Sequence, residues 1–104
     1  MPLEMILTLR EEGWPIEPGD IGENITTLDI PYDSFVVGKQ YEIGAAKIQI
    51  SKPCTPCRNL HVLQYVGDAR IPAFIKTLLN RRGWYARVLQ EGSIRKGDLI
   101  SEIV

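Results

Sequence analysis

The sequence predicts a mostly-β domain carrying two or three helices, and three observations predict it. From Ile21 to Ser51 the chain breaks into short runs separated by glycine: Asn24 to Ile30, Gln40 to Ile43 and Ala46 to Ser51. That rhythm is the one of small antiparallel strands in a barrel or sandwich. Two other stretches, near the N-terminus and over Ala69 to Arg82, space their apolar residues as helices do. After the second of them the chain returns to short strand-like runs.

Each element has its own signals. Leu3, Ile6, Leu7 and Arg10 fall at helical spacing, and Gly13 is placed as a C-terminal stop. Met5, Leu7 and Leu9 can instead be taken as a strand face, but the helix is preferred. Pro15 and Pro18 then break the chain, and Gly19-Asp20 makes a turn. In Ala69 to Arg82, Ile71, Phe74, Ile75, Leu78 and Leu79 share one helical face. Pro72 suits the first turn and Gly83 the C-cap. Trp84 to Leu89 reads as a strand, Ser93 to Asp98 as a turn region, and Leu99 to Val104 as a last strand.

Composition narrows the function classes. A chain of 104 residues with 44% apolar and 24% charged residues is that of a single globular domain spanning 1–104. A formal net charge of −1 leaves no whole-chain electrostatic footprint for nucleic acid. No apolar run approaches the roughly 20 residues of a membrane span. Met1-Pro2-Leu3-Glu4 lacks the basic region and apolar core of a signal peptide, so a cytoplasmic location is expected.

The chemistry concentrates in Ser51-Lys52-Pro53-Cys54-Thr55-Pro56-Cys57-Arg58, which holds both cysteines at the end of a strand-like run. Two cysteines two residues apart close almost no loop and make a poor staple. In a reducing compartment the spacing points to redox, metal or nucleophile chemistry. In one reading Cys57 is a nucleophile or soft-metal ligand, with Arg58 beside it to favour the thiolate. A thiolate can carry sulfur as a persulfide or bind a soft metal. In a second, Cys54 and Cys57 are the dithiol of an oxidoreductase, although the remainder of the chain lacks βαβ alternation. In a third, Cys54, Cys57 and His61 bind zinc, which needs a fourth ligand that no other Cys or His supplies. Against all three stands a plain reading, in which both thiols are small buried apolar groups.

Three further blocks accompany the cysteines in order. Pro18-Gly19-Asp20-Ile21-Gly22-Glu23-Asn24-Ile25-Thr26 precedes them, and Gly83-Trp84-Tyr85-Ala86-Arg87-Val88 and Gly92-Ser93-Ile94-Arg95-Lys96-Gly97-Asp98 follow. With Pro53-Cys54-Thr55-Pro56-Cys57, these blocks resemble the MOSC family, the domain found at the C-terminus of molybdenum cofactor sulfurases. The resemblance runs from about Pro15 to Ile103.

The resemblance implies a MOSC-like β-barrel and a role around sulfur and molybdenum. Members are proposed to carry sulfur as a cysteine persulfide or to bind molybdenum cofactor (molybdopterin), and some reduce N-hydroxylated compounds. The family cysteine falls on Cys57, as persulfide bearer or molybdenum ligand. Cys54 stands where many members have Arg and would be a resolving or second thiol. Asn24 and Thr26 would help shape a pterin site, and Arg58 and Arg87 would meet its phosphate. Expected partners are a sulfur donor such as a cysteine desulfurase, and a recipient molybdoenzyme if the chain is a non-catalytic delivery module. The stretch that usually precedes the first block is not among these residues, so the N-terminal part of the usual domain is expected to be missing.

Overall fold

A computed structural model describes residues 1–104 and divides into two compact units. The first, Met1–Tyr32 with Cys54–Gly83, is helical; the second, Asp33–Pro53 with Trp84–Val104, is a sheet.

In the helical unit, α1 spans Leu3–Glu11 and buries Ile6 and Leu9, whereas Leu7, expected on the apolar face, is half exposed. It stops as expected. Glu12 and Gly13 donate their N–H groups back to Thr8 and Arg10, and Gly13 takes the left-handed φ of 103° that glycine adopts freely. A short 3-10 segment, Arg58–Val62, leads to α2, Gly67–Leu78. The core joins Ile6, Leu9, Trp14, Ile16 and Ile21 to Val66, Ile71, Phe74 and Leu78. Phe74 is fully buried, with Trp14 4.7 Å from its ring centre and Tyr65 edge-on at 6.2 Å. Such pairs add about 0.5–1.5 kcal/mol each beyond area burial.

Several expectations fail in this unit. Asn24 to Ile30 is not a strand; it forms only a single parallel bridge, Thr27 with Pro2. The left-handed φ of 65° at Asp29 breaks an extended run there. The second helix also ends at Leu78 rather than Arg82, because Leu79 turns extended and Asn80 takes φ 62°. Leu79 therefore lies outside the helix, half exposed, and Gly83 is not its cap. Because α2 starts at Gly67, Pro72 sits in its second turn, not its first.

The sheet unit contains β1 (Gln40–Ile43), β2 (Ala46–Pro53), β3 (Trp84–Gln90) and β4 (Ile100–Ile103). Their order is β3-β2-β1-β4, all antiparallel. The register pairs Tyr41 with Ile48 and Ile43 with Ala46, which gathers the apolar alternates of β1 and β2 on one face. Gly44 opens the two-residue turn between them at φ 54°, as hairpin turns with a glycine in first position require. Phe35 packs on Tyr41, ring centres 5.7 Å apart.

The sheet is open, so the expected barrel is not formed. Each of β3 and β4 pairs on one side only. A closed barrel has no edge strand, whereas β3 and β4 are both edges here.

Candidate functional site

The cysteine segment leaves the sheet unit at Pro53 and enters the helical unit at Cys54. The Cys54 N–H donates to the Gly83 carbonyl at 2.8 Å, and the Gly83 N–H in turn donates to the Tyr32 hydroxyl at 2.9 Å. Gly83 is itself constrained: a Cβ there would lie 3.2 Å from the Met1 Cα. Cys54 is thus tied by its backbone and only 7% exposed, with a long 3.9 Å contact from its sulfur to the Thr55 carbonyl. Cys57, three positions on, is exposed. It precedes the 3-10 segment, and its carbonyl accepts the Leu60 N–H at 3.2 Å. Both cysteines are free.

The backbone between them explains the contrast. Residues 54–57 form no turn or bend, and Cys57 is extended at φ −131°, ψ 164°. Thr55 precedes a proline, which favours extended backbone as well. An extended segment sends one thiol inward and presents the other. A disulfide needs Cα atoms within roughly 7 Å. Forming one between Cys54 and Cys57 would require this segment to fold into a turn.

The Gly-Glu-Asn block forms a loop clamped at both ends. The Arg82 guanidinium donates to the Ile21 carbonyl at one end. At the other, the Met1 ammonium donates to the Ile25 carbonyl at 3.1 Å, while the Thr27 N–H donates to the Met1 carbonyl and the Leu3 N–H to the Thr27 carbonyl. Between the clamps Asn24 and Thr26 point outward and are exposed, whereas both carboxylate oxygens of Glu23 are buried without a hydrogen-bond partner. Burial lowers the Met1 ammonium pKa. Glu23 and Cys54 oppose that shift and Arg82 adds to it. One buried ammonium therefore feels both the Gly-Glu-Asn loop and the cysteine segment, so the fold brings these two blocks together.

Of the residues expected at the site, Cys54, Cys57, Arg58, Asn24 and Thr26 all belong to the helical unit, and all but Cys54 are exposed. Arg87 belongs to the sheet unit, exposed on β3 opposite Gln49. His61 holds Asp68, with Nδ1 3.1 Å from a carboxylate oxygen. Arg81 pairs with Glu12 through both guanidinium nitrogens, one at 3.0 Å, and that hydrogen bond holds the Glu12 pKa below its usual value. Two participants were not legible as such in the sequence. Arg82 reads there only as the end of the expected helix, yet it clamps Ile21. Gly83 reads as a helix cap, yet it anchors Cys54. The available signal is position: Gly83 opens the Gly-Trp-Tyr block and Arg82 immediately precedes it.

Comparison with known proteins places this arrangement. The MOSC domain family profile matches residues 3–101. A protein named "Reductase" from Gibberella moniliformis is 33% identical over 84 residues, which are 80% of this chain and 14% of that protein. The crystal structure of YiiM from Geobacillus stearothermophilus superposes with a TM-score of 0.82 at 32% identity. YiiM from Escherichia coli gives 0.75 at 21% identity, a likeness of fold. Both superpositions cover 99% of this chain and 52% of the YiiM chain, so it spans about half the length of these solved relatives. The four motif blocks and a family match over nearly the whole chain lead to one assignment: this chain belongs to the MOSC domain family.

Proposed function

We propose that this chain is a sulfur carrier, with Cys57 the thiol that bears the transferred sulfur. One observation carries the reading: Cys57 is exposed and unbridged beside a second cysteine that is buried and anchored. Sulfur transfer needs an accessible thiolate that a donor can approach. The Cys57 thiolate attacks the outer sulfur of a donor persulfide, the donor cysteine leaves as its thiolate, and Cys57 becomes the persulfide. No net oxidation or reduction occurs. The donor in this reading is a cysteine desulfurase and the recipient a molybdoenzyme. Cyanolysis of sulfane sulfur after incubation with a desulfurase and free cysteine tests it. Wild-type protein should give about one equivalent and Cys57→Ser none; equal loading of the variant would sink the assignment.

A second reading has the same thiol ligate molybdenum in a pterin cofactor. It is supported by the likeness to a protein named as a reductase, and by the donors exposed in the helical unit. The donor chemistry fits: a solvent-facing thiolate is a soft ligand, and Arg58, Asn24 and Thr26 offer a guanidinium, an amide and a hydroxyl for a phosphate and pterin edge. When bound, the group would supply two-electron redox chemistry. The chain's own part is then to ligate through Cys57, to neutralise the phosphate through Arg58, and to orient the pterin through Asn24 and Thr26. Arg87 is not needed for this set. A native-mass gain on mixing with the cofactor, absent in Cys57→Ser, is the expected result.

A further inference from the structure

Strand β3 is seven residues long and pairs with β2 alone, so it forms one open edge of the sheet unit. Natural proteins blunt such edges with proline, lysine, bulges or very short strands. β3 contains neither proline nor lysine. It is also regular from Trp84 to Val88, because the two register irregularities leave Ser51 extra on β2 and Leu89 extra on β3. Tyr85 and Val88 within that run are at least half exposed. The edge is therefore a template for a further strand.

Its backbone phase and side chains select which strand. The Ser51 hydroxyl donates to the Tyr85 carbonyl at 3.1 Å, so Tyr85 turns that carbonyl toward β2. Successive residues of a strand point their backbone groups to opposite sides, which turns those of Ala86 and Val88 to the open edge. Ala86 and Val88 lie opposite Ile50 and Ile48 on the apolar face, while Tyr85 and Arg87 lie opposite Lys52 and Gln49 on the other. The run Trp84-Tyr85-Ala86-Arg87-Val88 is thus self-complementary about its middle residue when laid antiparallel on a copy of itself. Ala86 then faces Ala86 and the two exchange both N–H···O bonds. Trp84 faces Val88, apolar against apolar. Tyr85 faces Arg87 on each side of the centre, ring against guanidinium. That ring already attracts a cation, with Lys52 Nζ 5.3 Å from its centre. Other centres serve less well: at Arg87 two guanidinium groups would oppose each other, and at Val88 the pairing would run into the irregularity at Leu89.

We propose that β3 pairs with β3 of a second copy of this chain, antiparallel about a two-fold axis at Ala86, so that the two four-stranded sheets become continuous. This surface is independent of the role given to Cys57. An interface of one strand pair is small, so the association is weak and the chain is monomeric at low micromolar concentration. Sedimentation velocity of the whole chain from micromolar to millimolar concentration is the test, with amide deuterium exchange alongside. The mean mass should rise from that of the monomer toward twice it, and the Ala86 and Val88 amides should exchange more slowly as it does. Ala86→Glu and Ala86→Lys each set like charges opposite one another and should each keep the chain monomeric. Mixing these two variants should restore association, because position 86 faces itself across the axis. Arg87→Gln removes both ring–cation pairs and should weaken association about tenfold. Circular dichroism matching that of the wild type confirms that each variant keeps its sheet, and the exchange measurement on wild-type protein decides the matter without any variant. A chain that stays monomeric at millimolar concentration, association unchanged in Ala86→Glu, or a mixture of the two charged variants that stays monomeric would overturn the proposal.

Discussion

The helical unit and the sheet unit of this chain differ in how they use their apolar residues. In the helical unit Ile6, Leu9, Ile16, Phe74 and Leu78 are wholly withdrawn from solvent, and aromatic rings meet around Phe74. In the sheet unit β3 leaves six of its seven residues exposed, Tyr85, Val88 and Leu89 among them. Both cysteines and the Gly-Glu-Asn loop sit on the packed unit. The difference teaches where precision is available. A thiol can be presented in a fixed place only if the residues behind it are held, and Cys54, Gly83 and Tyr32 form such a backing chain of hydrogen bonds.

The comparison breaks first at its cores. Phe74→Ala should cost about 3–5 kcal/mol, whereas Val88→Ala, at a position 60% exposed, should stay within about 0.5 kcal/mol. Urea unfolding measures both, and similar losses would mean the two units bury their side chains alike.

The sheet unit does have tightly enclosed glycines, Gly44 among them. A Cβ at Gly44 would sit 2.5 Å from an Asp98 carboxylate oxygen and 2.7 Å from the Ser93 carbonyl, at a φ that disfavours side chains. Gly44→Ala should therefore cost about 1–3 kcal/mol in the same assay. A neutral result would show that the turn relaxes.

The two cysteines sharpen the contrast at single-atom scale. Cys54→Ser buries a hydroxyl with no partner provided and should cost about 1–3 kcal/mol. Cys57→Ser, on the surface, should be within about 0.5 kcal/mol. Equal costs would contradict the inward and outward placement of these side chains.

The smallest effect is a pH dependence. Burial, and then the hydrogen bond its hydroxyl donates to the Asp20 carboxylate at 3.1 Å, raise the Tyr65 pKa well above its ordinary value. The neutral phenol is thus favoured more in the folded state than in the unfolded one. Its contribution is complete below about pH 10, where the unfolded phenol is also neutral, and falls as pH rises beyond that. Tyr65→Phe should flatten the alkaline limb of the stability profile and leave the acid limb unchanged. An identical alkaline slope in the variant would remove Tyr65 from the account.

Local patterns were legible in the sequence, and long-range ones were not. Gln40 to Ile43 was read to the residue because its alternation and the following glycine are both local signals. The first helix followed from its spacing and stop, although Met5, Leu7 and Leu9 also allowed a strand reading. Asn24 to Ile30 misled because its strand-like composition serves a loop, whose backbone partners lie 24 positions or more away at the N-terminus. The end of α2 misled because Asn80 already takes a left-handed φ of 62°, three residues before Gly83 does the same. The barrel came with the family resemblance, and four strands do not close one. At the site, the spacing of Cys54 and Cys57 identified the chemistry. Which thiol faces solvent depends on Gly83 accepting the Cys54 N–H, a contact across 29 positions that no local pattern encodes. Glu23 was recognisable as an acid in a motif, but its burial without a partner emerges only from the fold.

The central claim, that Cys57 is the thiol that accepts sulfur, is tested most directly by the intact mass of the denatured protein after incubation with a cysteine desulfurase and free cysteine. The account predicts a gain of about 32 Da, one sulfur atom held as a persulfide, removed by reductant. The gain should persist in Cys54→Ser and be absent from Cys57→Ser. Wild-type protein that stays at its starting mass, or a Cys57→Ser variant that gains the sulfur, would contradict it.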